Sequence, residues 1–126
     1  MEAANSYLEA LRYMDNAKEN LQKAGKDEGL YKDKKYVRTA SGIAYNAILI
    51  VLDEYLKRKE GNSYKKAKSI EEYKSRLTNK DKKLLTLLVS AYDTLHLAGY
   101  YIGTTSVKTI TSGFEDAYKI IEYIKD

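Results

Sequence analysis

One histidine stands in this chain, His96, within the stretch AYDTLHLAGYY from Ala91 to Tyr101. On a helix, Tyr92 lies one turn before it, Tyr100 one turn after it, and Asp93 on the preceding turn. Tyr92, Asp93, His96 and Tyr100 therefore form a candidate polar cluster. A neutral imidazole can serve as a general base, with Ser90, Thr94 or a tyrosine as its neighbour. No Gly-x-Ser-x-Gly elbow or oxyanion loop accompanies it, so no residue is assigned a catalytic role. Asp93-x-x-His96 is half of the acid-x-x-His pattern of carboxylate-bridged metal bundles, which need a second such pair. A zinc centre would ordinarily take three protein ligands, so no metal is expected. The favoured expectation is a partly buried imidazole hydrogen-bonded to a tyrosine or to Asp93.

Charge supplies the second candidate. From Lys57 to Lys83 eleven Lys/Arg face four Asp/Glu, an excess of seven, so the rest of this chain of net charge +4 carries about three net negative charges. Lys57, Arg58, Lys65, Lys66 and Lys68 are the candidate anion-binding residues, suited to RNA, a nucleotide or an acidic partner. The plainer alternative is a solvated, lysine-rich turn region.

Thirteen tyrosines stand against one phenylalanine and no tryptophan. A phenol offers a large ring with a hydroxyl that needs a partner when buried. Tyr45, Tyr55, Tyr92, Tyr100, Tyr101 and Tyr118 sit on or beside apolar stripes, where they can finish the core edge, build a dimer interface or stack bases. Walker A, dinucleotide, His-Glu-x-x-His and EF-hand patterns are all missing, and no cofactor is expected.

The elements that must position these residues are helices. Proline and cysteine are absent and glycine is limited to seven, a composition that long helices tolerate and an all-β chain does not. A first helix is expected from Ala3 to Ala24, with Tyr7, Leu11, Met14 and Leu21 on its apolar face, widened by Ala4, Leu8 and Ala17; Gly25 ends it. The segment KDEGLYKD reads as a loop. A second helix runs from Asp33 to Glu60, stopped by Gly61-Asn62; it is apolar almost all round from Ile43 to Leu52, which places it at the bundle centre or under a partner chain. Ser69 and Glu72 form a capping box opening a short helix to Leu77.

Asn79 or Asp81 caps a helix from Lys80 to Ile102, whose stripe is Leu84, Leu88, Ala91, Leu95, Ala98 and Ile102. The last helix spans Ser106 to Lys125. Gly99 and Gly113 each cost about 1 kcal/mol relative to alanine, so close helix approach, or room for a ring or ligand, must offset them. The expected fold is all-α: one domain over residues 1–126, an antiparallel four-helix up-and-down bundle with one extra short helix. The N-terminus lacks the pattern of a signal peptide, and the longest apolar run, Ala47–Leu52, is far short of the roughly 20 residues of a membrane span. A cytoplasmic, membrane-free protein is expected.

The central AYNAILIVLDEYL helix, the short basic-flanked helix, and SAYDTLHLAGYYIG followed by GFEDAYKIIEYI resemble small bacterial HEPN-like bundles, including families with no assigned function. The resemblance extends from Tyr36 to Ile124. Active HEPN ribonucleases carry an arginine, four to six residues, then histidine. The corresponding positions before His96 are Val89, Ser90 and Ala91, and the nearest upstream arginine is Arg76. The resemblance thus implies a bundle without nuclease chemistry, of the kind that partners nucleotidyltransferases or acts as a binding module. Three functions are carried forward: a non-catalytic module acting by protein association, as a homodimer or with another protein; an RNA- or nucleotide-binding module; and, third, an unorthodox nuclease using His96.

Overall fold

The computed structural model describes residues 2–125, with side chains from 5 onward; the expected contribution of Ala4 lies outside the described residues. The chain forms α1 (Glu2–Ala24), α2 (Lys34–Glu60), α3 (Ile70–Thr78), α4 (Lys82–Ala91), a π-helix (Tyr92–Ile102) and α5 (Val107–Ile124). The KDEGLYKD segment is a small antiparallel hairpin rather than a plain loop, with β1 (Lys26–Asp27) paired to β2 (Leu30–Tyr31). Gly25 and Gly29, at φ +70° and +79°, supply the left-handed turns that let so few residues fold back.

Side chains cap most of the helices. Asp33 accepts from the Lys35 amide at 3.0 Å, Asp81 from Leu84 at 3.0 Å, and Ser106 from Thr109 at 3.1 Å. Ser69 accepts from Glu72 at 3.2 Å, but the Glu72 carboxylate reaches the amide of Lys68, not of Ser69, so the box closes one residue early. Each such cap is worth about 1 kcal/mol.

The four long rods alternate in direction. Tyr7 near the start of α1 donates to Glu122 near the end of α5, and Arg58 near the end of α2 donates to the Ile124 carbonyl. The Arg38 guanidinium near the start of α2 donates to Ile102 at the end of the π-helix. An all-α bundle with a short extra helix follows, as the periodicity indicates. α2 is its central rod, packing on α1, the π-helix and α5, with Val37, Ala44, Ile48, Leu52 and Leu56 buried. Met14, Leu84, Leu88, Leu95, Ile110, Ile120 and Ile121 complete the core, each leucine contributing about 1.5–3 kcal/mol by burial. Leu8, expected to widen the α1 stripe, is exposed instead.

The largest departure from the sequence reading lies past Ala91. An uninterrupted α-helix would bury Ala98 and Ile102. The hydrogen bonding shifts instead to the wider i→i+5 pattern, seen where the Gly103 amide reaches the Ala98 carbonyl. More residues then fill each turn, and residues four apart come into line. The buried stripe becomes Leu95 and Gly99, while Ile102 is 67% exposed. Gly99 and Gly113 are indeed points of close approach. A Cβ at Gly99 would run into the Ser41 side chain, 2.6 Å from its Cβ, and one at Gly113 would lie 2.7 Å from Leu95 Cδ2.

Candidate functional site

The wider register lines up the rings of Tyr92, His96 and Tyr100 along the outer face of the π-helix. Tyr92 and His96 stack with centroids 4.9 Å apart and planes at 24°; His96 and Tyr100 follow at 5.9 Å and 18°. Tyr45 of α2 packs on His96 at 4.9 Å, and Tyr101 meets the imidazole edge-on at 5.0 Å. Gly42 makes room for this: a Cβ there would come within 3.1 Å of the Tyr100 ring. The imidazole is held by ring faces. Among the described residues it makes no hydrogen bond to a tyrosine or to Asp93, contrary to expectation, and Asp93 is exposed. Burial favours the neutral imidazole, so its pKa falls below the usual histidine value.

Two adjoining clefts open along this aromatic row. One, of about 310 Å³, is lined by Gly42, Tyr45, Asn46, Leu49, His96 and Tyr100. The other, of about 320 Å³, shares Tyr45, Leu49 and His96 and continues past Tyr92 and Tyr73 to Lys66, Lys68 and Ser69. They make one groove between α2 and the π-helix, aromatic along its length and cationic at one end. Tyr73 donates to Asp53 at 2.6 Å; its burial first, and that bond second, push its pKa up. Tyr45 is likewise raised, first by burial and then by Tyr92, so both phenols are neutral at physiological pH.

Of the residues singled out from sequence, Tyr45, Tyr92, His96, Tyr100, Lys66 and Lys68 meet in this groove, although the tyrosines, the polar cluster and the basic segment are separate candidates in the sequence. The others lie elsewhere. Lys57 sits over the Tyr64 ring at 5.9 Å. Arg58 is taken up by the Ile124 carbonyl at 2.9 Å, and Lys65 offers its carbonyl to Arg76. Leu49 and Gly42 have no signal of their own in the sequence, because a helix that is apolar all round does not reveal which of its faces stays open.

No guanidinium lines either cleft; Arg76 is engaged by Glu60 and Glu72, each at 3.5 Å, and by Lys65. Among the described residues no group of three or more His, Cys, Asp or Glu gathers at a point that could hold a metal. What the groove offers is ring faces, the Asn46 amide, a neutral imidazole and two ammonium groups.

A family model for a domain of unknown function, DUF5618, matches residues 5–126. The chain belongs to this family. It is similar in structure to a protein of unknown function from Dyadobacter fermentans, at 37% identity and a TM-score of 0.87, covering 99% of this chain and 97% of that one. No curated protein matches it. The likeness covers nearly the full length of both chains, and among the described residues no helix is long and apolar enough to cross a membrane.

Proposed function

We propose that this DUF5618 protein is a non-catalytic cytoplasmic binding module whose groove takes a flat heteroaromatic ligand carrying phosphate: a nucleotide or a short stretch of single-stranded RNA. The observation that carries this reading is the meeting of Tyr45, His96 and Tyr100 with Lys66 and Lys68 along one groove. Base stacking on such rings is worth about 1–3 kcal/mol per base, and each lysine that neutralises a phosphate releases condensed counterions, a gain that shrinks as salt rises. A HEPN-like ancestry is part of the proposal, supported by the helix order and the all-α bundle. Val89, Ser90 and Ala91 stand where the nuclease arginine would be, so binding without cleavage is the expected outcome.

The test is equilibrium binding of a short single-stranded RNA and of an adenine nucleotide at several salt concentrations. Affinity should fall steeply with salt, drop at least tenfold in the Lys66→Glu/Lys68→Glu variant, and drop in Tyr100→Ala. Binding that ignores both salt and these variants would end the reading. Cleavage of the RNA that disappears in His96→Ala would replace it with a nuclease.

Self-association is a second reading, favoured by Leu97, Tyr101 and Ile102, which stand 38%, 63% and 67% exposed on the π-helix. A sedimentation experiment that finds only monomer at high concentration would remove it.

A further inference from the structure

The bundle end where α2 and α5 finish and α4 begins carries a second set of clefts, made of residues that play no part in the aromatic groove. Its frame is Asp81. That carboxylate caps α4 and also accepts from the Tyr55 hydroxyl at 2.9 Å and the Tyr123 hydroxyl at 3.0 Å. The Lys59 charge also favours the ionised carboxylate, and the ammonium groups nearby lie over ring faces. Lys59 lies over the Tyr55 ring at 5.4 Å and Lys83 over the Tyr123 ring at 5.2 Å.

The exposed Tyr123 ring is a wall of two clefts. One, of about 290 Å³, is bounded by Tyr55, Arg58, Lys59 and Ile124; the other, of about 640 Å³, by Lys83, Leu87, Lys119 and Glu122. Glu122 is turned to the Tyr7 hydroxyl at 2.6 Å, and Arg58 is anchored on the Ile124 carbonyl and near Glu54. Among the described residues Lys59, Lys83 and Lys119 form no ion pair with a carboxylate.

We propose that this end of the molecule is a binding site for a linear phosphate polyanion that straddles Tyr123, with one phosphate against Lys83 and Lys119 and the next against Lys59 and Arg58. Cations on both sides of one ring favour a chain of linked anions over a single one, because the second contact is made within the complex at high effective concentration. Both phosphoanhydride chains and the phosphodiester backbone of a nucleic acid have this chemistry. The proposal rests on none of the groove residues.

The experiment titrates the whole chain with inorganic phosphate, with tripolyphosphate and with a short oligouridylate, following the Tyr123 ring resonances and the heat of binding. Tripolyphosphate is expected to bind at least tenfold more tightly than phosphate, with an affinity that falls as salt rises. Lys83→Ser/Lys119→Ser should lose at least tenfold and leave circular dichroism unchanged, since both side chains are exposed. Lys66→Ser/Lys68→Ser should leave tripolyphosphate affinity unaltered, which separates this site from the groove. Oligouridylate that competes with tripolyphosphate identifies a nucleic-acid backbone as the source, and one that does not identifies inorganic polyphosphate. Equal affinity for phosphate and tripolyphosphate, no binding, or loss only in the groove variant would overturn the proposal.

Discussion

From Lys82 to Ala91 the third long rod presents Leu84, Leu88 and Ala91 to the core, each fully buried. From Tyr92 to Ile102 the same rod buries only Leu95 and Gly99 and leaves Leu97, Tyr100, Tyr101 and Ile102 exposed. The two halves differ in hydrogen-bond register, not in apolar content. In the α-helical half, apolar side chains serve stability; in the π-helical half, the wider turn trades an isoleucine contact for a row of rings facing outward. π-Turns are rare and concentrate at functional positions, in keeping with a groove built along this one.

The contrast can be broken or sharpened by substitution. Leu88→Ala should cost about 2–5 kcal/mol in urea unfolding, while Leu97→Ala, further along the same rod, should cost far less. Equal losses would mean that the two halves are packed alike. Gly99→Ala should destabilise by about 1–3 kcal/mol through overpacking against Ser41, despite alanine's better helix propensity. Ser41 itself is fully buried, and its hydroxyl has no hydrogen-bond partner among the described residues. Ser41→Ala should therefore stabilise the protein by about 1–3 kcal/mol, measured by the shift in unfolding midpoint.

Asp81, at the start of the α-helical half, gives a smaller effect. Burial alone would raise its pKa, but the Leu84 amide and the hydroxyls of Tyr55 and Tyr123 outweigh this and hold it below the usual carboxylate value. Its folded pKa is depressed, so the stability it contributes is present above about pH 4 and is lost as pH falls through the folded value. Asp81→Asn should flatten that acid limb and cost about 1 kcal/mol at neutral pH through the weakened cap. Tyr55, pushed up to about 12 by burial first and by Asp81 next, should ionise late in an alkaline absorbance titration. The smallest effect belongs to His96. Burial lowers its pKa, so the unfolded chain takes up a proton first and stability should decline as pH drops below about 6.5. An NMR titration of the imidazole with a midpoint at or above 6.5 would contradict this.

Rod lengths and stops were legible because they rest on local signals: Asp33, Ser69, Asp81 and Ser106 at helix starts, and Gly25 and Gly61 at ends. The central place of α2 was legible from its all-round apolarity. The π-register was not, since Leu95, Ala98 and Ile102 fit an α-helical stripe equally well in one dimension. Only the close approach of Gly99 to Ser41 and of Gly113 to Leu95 decides which residues face inward. The interior glycines were the one visible trace of that decision. The groove was half legible: its residue types stood out, but the meeting of Lys66 with His96 depends on where α3 and its linker come to rest on α2.

The hairpin between α1 and α2 is also stitched to the start of α5. The Tyr31 amide reaches the Thr105 carbonyl at 2.8 Å, and the Val107 amide reaches the Gly29 carbonyl at 3.2 Å. That clasp fixes the end of the bundle beside Tyr101 and Ile102. The strip from Tyr64 to Lys68 at the other lip has no regular structure and is pinned through Arg76 and Glu72. A guest would then be admitted by yielding of the lysine-bearing lip against a stationary aromatic one. Deuterium uptake should accordingly be slow at Tyr31 and Val107 and fast at Lys66, and the reverse order would assign the moving part to the wrong side.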